Sequence, residues 1–482
     1  MIFSTSFVFA FASSFAFLYF ENNTFTAFVV VSSFVLADNI VPIKILNDPV
    51  SASCSSLSAV ILGGLTAFIV SVIPRRIFCI ICGILRTSII SVIVKLVLLE
   101  LTKDEESALK GEQGEIMQMA YRILVATGEA TDAERLVPIE WAHLSGVNYN
   151  TIGDAGEEFL LGISKKARVK VRTTLNPMGF DIDNVSDYNL DENFISKQLS
   201  IKNSYEAMGV TPSFSCIPYE IFDIPKEGTQ VAFAESNAAI HANSYDNLKT
   251  NKESAFSALA SAITGKSPYS SIRKEDSPNL TIRMKVKDPN ELTYGMLGFF
   301  AGKVGDTSVN ISDLGKMDNR QCKAMCGGMG TSGTCAKFLF GDGDPSCEKV
   351  DFDQKEMQNV HDELNTAEKG DLITLGSPQL GLEEISDLVG KLKGRSFQKR
   401  CMIFCPRTVK EQARKIGYTN ELERAGCEIL SDCCTCLTPL INKNDVDSVT
   451  TNSIKGAFYL KNSNGVDVNL KSLSQIVEDE TR

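Results

Sequence analysis

Cys427-Glu428-Ile429-Leu430-Ser431-Asp432-Cys433-Cys434-Thr435-Cys436 lies near the carboxyl end of a chain of 482 residues. Its first four residues are a short run between Gly426 and a polar break, the pattern of a buried strand. Two earlier runs repeat the pattern. Cys401-Met-Ile-Phe-Cys405 ends at Pro406, and Leu372-Ile-Thr-Leu375 ends at Gly376-Ser377-Pro378. Helical patterns over Leu382–Leu392 and Val409–Ile416 separate the three. This β-α-β-α-β order predicts an α/β fold with parallel strands and right-handed crossovers. Parallel strands place their carboxyl ends along one edge, where open sheets bind ligands. Ser377, Cys405 and Cys434 are therefore expected beside one cleft. Three cysteines within four residues at that edge point to iron–sulfur or another soft metal. The alternative is thiols packed as small hydrophobes.

Composition divides the chain into two unlike parts. Residues 1–99 carry only eight charged side chains: Glu21, Asp38, Lys44, Asp48, Arg75, Arg76, Arg86 and Lys95. Met1–Phe20, Val50–Pro74 and Ile77–Leu99 are long and apolar enough to be candidate bilayer spans. The other reading of 1–99 is an extension foreign to the working protein. From Thr102 onward the sequence is that of an ordinary globular enzyme. Residues 100–482 hold 43 basic and 56 acidic side chains, a net charge of −13, which excludes non-specific nucleic-acid binding. Of 14 cysteines only Cys54, Cys79 and Cys82 lie in the first part, and a chain of this length is no disulfide scaffold. Three histidines are too few to suggest a histidine-built metal site.

Thr102-Lys-Asp-Glu105 is a capping box, expected to open a helix that presents Ile116, Met119, Ala120, Ile123 and Leu124 on one face and ends at Gly128. Val169-Lys-Val171 alternates like a strand and runs into the polar turn Thr173-Thr-Leu-Asn-Pro-Met-Gly179, which includes Thr174-Leu-Asn-Pro177. Glycines and hydroxyls crowd His143-Leu-Ser-Gly-Val-Asn-Tyr149 and Thr151-Ile-Gly-Asp-Ala-Gly156, and amides, hydroxyls and carboxylates crowd Glu235-Ser236 and His241-Ala-Asn243-Ser244. Such groups suit a polyoxygenated small molecule, or else cap helices and close Asx turns. Cys322 and Cys326, four apart, would share a helix face, but paired zinc-ribbon knuckles are lacking.

These stretches, with Leu101-Thr-Lys-Asp-Glu-Glu106, Cys216-Ile-Pro-Tyr219 and Thr451-Asn-Ser-Ile-Lys455, resemble the aconitase X group over residues 101–455. Within it the split archaeal form is most similar. The resemblance implies an aconitase-like multi-domain core around an iron–sulfur cleft, of the 4Fe-4S type, in a cytoplasmic enzyme. It implies a hydro-lyase large subunit that dehydrates 5-phosphomevalonate, with a separate small, swivelling-domain subunit as partner. A cis-3-hydroxyproline-type dehydratase is the alternative, and a membrane-anchored binding scaffold without a cluster is an alternative of another class. It further implies working groups at Ser145, Glu235 and Ser377, and substrate contacts at Gly146, Asn176, Ser236, Asn243, Ser244, Asn452, Ser453 and Lys455. Cys216 and Cys434 match cluster ligands. The third family position, often Gly-Cys-Pro-His, reads Gly376-Ser377-Pro378-Gln379 here. The edge argument makes Cys405 the stand-in, with Cys335 next. Residues 1–99 lie outside the resemblance.

Overall fold

The three strands read first form one half of a five-stranded, all-parallel sheet. Its order is Cys427–Leu430, Cys401–Phe404, Leu372–Leu375, Ser448–Thr451, Asp467–Leu470. The chain enters at the centre, winds outward to one edge, then returns to the centre and winds to the other. A switch point therefore falls between Leu372–Leu375 and Ser448–Thr451, where open α/β sheets form ligand crevices. Strand pleating sends alternate residues to opposite faces. Ile373, Leu375, Cys401, Ile403 and Ile429 pack under the helices Leu382–Leu392, Arg407–Lys415 and Leu473–Glu480. Leu372, Met402, Phe404, Leu430 and Val449 enter the core on the other face. A sheet covered on both faces needs such continuous apolar runs, which is why these strands were legible. Tyr418–Arg424 is an additional short helix before the last of the three strands.

The computed structural model describes residues 99–274 and 278–482. Within the first 98 it describes only two antiparallel strand pairs, Ala16–Glu21 with Thr24–Val29 and Val35–Leu36 with Asn39–Ile40. The candidate bilayer spans otherwise lie outside the described residues. Among the described residues no helix is long and apolar enough to cross a membrane.

The amino-terminal part of Val97–Arg482 holds a three-stranded parallel sheet with Trp141–Leu144 between Arg172–Leu175 and Val231–Phe233. The strand Arg172–Leu175 starts later than Val169 because the Val169 and Lys170 amides donate to the Met208 and Ala262 carbonyls instead of to the sheet. The capping box is complete, with both Thr102 and Glu105 closing it. Its helix stops at Leu109, because Gly111 and Gly114 at positive φ restart the chain as Glu115–Ala130. Gly128 lies inside that second helix beneath Leu99, and Thr131 ends it.

A middle sheet of four parallel strands runs Lys337–Phe340, Ser308–Ser312, Leu280–Met284, Glu348–Phe352. The helices Glu291–Val304 and Asn319–Ser332 cross closely at its side. A Cβ at Gly298 would fall on the Met325 carbonyl, and one at Gly328 on the Gly295 carbonyl. Residues of this sheet and of the five-stranded sheet share one hydrophobic core.

Candidate active site

At the switch point two strand ends deliver Gly376-Ser377-Pro378 and Asn452-Ser453-Ile454-Lys455 side by side. Gly376 has φ 116°, and a Cβ there would strike the Phe404 carbonyl oxygen, so glycine is required at this turn. Ser453 caps the helix Ile454–Tyr459 by accepting from Gly456 N at 2.9 Å and donates to the Ser377 carbonyl. The cap thereby ties the two loops together.

A cavity of about 1000 Å³ lies beside them. Of the expected residues, Ser145, Gly146, Asn176, Cys216, Glu235, Ser236, Cys434 and Lys455 line it. Ser377, Asn452 and Ser453 line a small adjoining recess, and Lys455 reaches both.

One wall is a directional hydrogen-bond chain. Trp141 Nε1 donates to Thr174 Oγ at 2.9 Å, and that hydroxyl lies 2.8 Å from His143 Nδ1. His143 Nε2 is 3.2 Å from Asn176 Oδ1, and Asn176 Nδ2 donates to Glu235 Oε2 at 2.6 Å. Glu235 Oε1 takes the Lys455 ammonium, which also donates to Asn237 Oδ1 at 3.0 Å. Each group has one role only if His143 is neutral with its proton on Nε2. Burial drives the same result, pushing His143 down to about 4 despite the nearby Glu235. Burial would also lower Lys455, but Glu235 outweighs it and holds the ammonium above its ordinary range.

The floor of the cavity carries thiols. Cys216 and Cys434 come together although 218 positions separate them, and Cys436 packs against the pair. Cys434 sits in the middle of the row. Hydrogen bonds from Cys216 and then Cys436 hold it well below the ordinary thiol range, against burial. Burial pushes Cys216 and Cys436 up. Gln379 stitches the two loops by donating to the Phe214 carbonyl at 3.2 Å and the Cys433 carbonyl at 2.9 Å. Phe214, Asp432 and Leu437 all hold positive φ, which for such residues stores of order 1–3 kcal/mol each. Among the described residues no three His, Cys, Asp or Glu side chains already converge as a metal cage. The donor chemistry nonetheless fits a soft metal: Cys216, Cys434 and Cys436 are in contact and all three line the cavity.

Four expected residues lie elsewhere. Cys405 is fully buried with Leu380, Ile403 and Val409 on the helix-covered face, where burial raises it to about 12. Reaching the strand end was not enough, because the pleat turns Cys405 the same way as Ile403. Asn243 donates to the Thr250 and Ala336 carbonyls and accepts from Thr250 N, and Ser244 accepts from Phe338 N at 2.9 Å. These two fasten the helix Ser236–Ser244 to its neighbours. Cys335, the further candidate ligand, is buried in the core of the middle sheet. The residues that sequence reasoning missed are Cys436, Asn237 and Gln379. Cys436 was visible in the cysteine run, but spacing alone does not say which of adjacent thiols face a cavity.

Strained loops and pKa values pushed apart around one cavity are marks of an enzyme site, here on a multi-domain α/β framework. The chain belongs to the aconitase X family, whose first, second and third domains match residues 98–274, 278–363 and 370–482. It is 34% identical over 382 residues to the phosphomevalonate dehydratase large subunit of Methanocaldococcus jannaschii, covering 75% of this chain and 94% of that one. With the corresponding subunit of Thermococcus kodakarensis it shares 32% over 394 residues, covering 79% and 99%. The cis-3-hydroxy-L-proline dehydratase of Hypocrea jecorina is 28% identical over 409 residues, covering 79% and 68%. The crystal structure of Thermococcus kodakaraensis aconitase X in its holo-form superposes with a TM-score of 0.73 at 31% identity, covering 79% of this chain and all of that one. The expected aconitase-like α/β fold is thus the fold observed.

Proposed function

We propose that this chain is the large subunit of a hydro-lyase that removes water from (R)-5-phosphomevalonate to give trans-anhydromevalonate 5-phosphate. The observation that carries this reading is one cavity holding both the Cys216–Cys434 thiol pair and the Asn176–Glu235–Lys455 chain. It is supported by similarity to large subunits of that name. Cys216 and Cys434 would hold an iron–sulfur cluster, of the 4Fe-4S type in our reading, which when bound supplies a Lewis acid for the departing hydroxyl.

The chain's own groups bind and orient. Lys455, kept charged by Glu235, presents a fixed positive centre at the cavity wall. Neutral His143 sets the Asn176 amide so that its NH2 faces Glu235. Ser145, Gly146 and Ser236 line the same cavity and offer hydroxyl and main-chain groups to substrate oxygens. Glu235, the one carboxylate among the described lining residues, spends both oxygens on Lys455 and Asn176. It therefore positions rather than takes the proton, and we assign the base to the separate small subunit. We read residues 100–482 as the working subunit, residues 1–99 as an extension, and the setting as cytoplasmic.

The test is anaerobic co-expression of the chain with a candidate small subunit, followed by assay on 5-phosphomevalonate and on cis-3-hydroxyproline. Water loss from the first is expected. Turnover of hydroxyproline alone would overturn the substrate assignment.

A further inference from the structure

Cys436 completes the thiol row, and three observations bear on why. Its Sγ lies 2.7 Å from Ser377 Oγ, so a thiol from the Cys433–Cys436 loop stands where the switch-point loop offers only a hydroxyl. Cys434 Sγ, two residues earlier, lies 3.3 Å from the Gly376 carbonyl, so both thiols of this loop lean on the same turn. The chain then reverses at Leu437, with φ 63°, and the Leu437 carbonyl accepts from Asn148 Nδ2 and Asn150 Nδ2, each at 3.1 Å. Those two amides belong to the amino-terminal part of the molecule, as does Cys216. The bend that sets Cys436 is thus pinned from the side that supplies the first thiol. Cys436 is partly exposed and lines the cavity, whereas Cys405 is sealed away from it.

We propose that Cys436, not Cys405, is the third thiolate of the metal centre, and that Ser377 holds that sulfur through its hydroxyl rather than ligating metal. Ser377 is then a positioning residue: with Cys436 as thiolate, Ser377 Oγ–H donates to it, the outer-shell contact that fixes a ligand's direction. Softness decides between the two atoms, since thiolate suits iron–sulfur chemistry and a neutral hydroxyl does not. The inference rests on the cluster reading above, and the experiment separates the two.

The full chain, alone and with its small subunit, is reconstituted anaerobically with ferrous iron and sulfide. Iron and acid-labile sulfide per chain are measured, with visible absorption and electron paramagnetic resonance as spectral readouts. Wild type and Cys405→Ala are expected to load equally. Cys436→Ala should lose at least about half of its iron, with a changed spectrum. Adding Ser377→Cys to Cys436→Ala should restore loading, because a thiol at that position reaches the same place. Failure of that rescue would assign the loss to packing and overturn the proposal. Full loading of Cys436→Ala while Cys216→Ala loses iron would overturn the Cys436 assignment alone. A wild-type chain that takes up no iron would sink the cluster reading and this inference with it.

Discussion

His143 shows how much can hang on one proton. Its ordinary value is 6.5 and its folded value is about 4, set first by burial. Between those limits the unfolded chain binds a proton that the folded chain refuses. Stability from this residue is therefore complete above pH 6.5 and is lost as pH falls toward 4, by about 3 kcal/mol in all. Urea denaturation at pH 7 and pH 4 should show wild type losing about that much more than His143→Gln; parallel losses would place the titration elsewhere. Site chemistry was partly legible in single residues. Cys216, Glu235 and Lys455 stood out by type, but the partners of their side chains are 59 to 220 positions distant, and no local pattern announces Asn237 or Gln379. Asn243 and Ser244 misled because the amides and hydroxyls that bind a polyoxygenated ligand are the same side chains that fasten a helix to neighbouring backbone.

Elements were read best where packing is two-sided. The strands at Leu372, Cys401 and Cys427 have apolar residues on both faces, so short runs identified them. The close crossing of Glu291–Val304 and Asn319–Ser332 was not legible, since glycines spaced along a helix look merely weak. In the structure they are contact points. Gly298→Ala should lower the unfolding free energy by about 1–3 kcal/mol through overpacking. Gly390→Ala, on an exposed helix surface with nothing nearby, should instead raise it by up to about 1 kcal/mol. Thermal unfolding of the two variants checks the sign difference; two shifts in the same direction would refute the contact argument.

Across the chain, the three matched family domains begin at residue 98 and run to residue 482. A chain beginning at Val97 should therefore fold cooperatively and unfold within about 4 °C of the full-length protein, measured by calorimetry. A drop well beyond that would show that the first part contributes to the fold. The change in composition at about residue 99 is legible from charge alone. The joining of Cys216 to Cys434 was not, because it depends on two sheets meeting, and only family resemblance suggested it.

Lys455 is already spoken for by Glu235 and Asn237, and Lys323 beside the recess is clasped between Glu220 and Glu384. Among the described side chains facing the main cavity, Lys455 is the one cation. On the proposed function the guest carries both a carboxylate and a phosphate, so it enters a chamber whose electrostatic welcome is half cancelled. On that reading the balancing positive charge would come from the companion polypeptide. Guest and companion would consequently strengthen each other's hold, as linked binding requires, and the assembled pair would clasp most firmly when loaded.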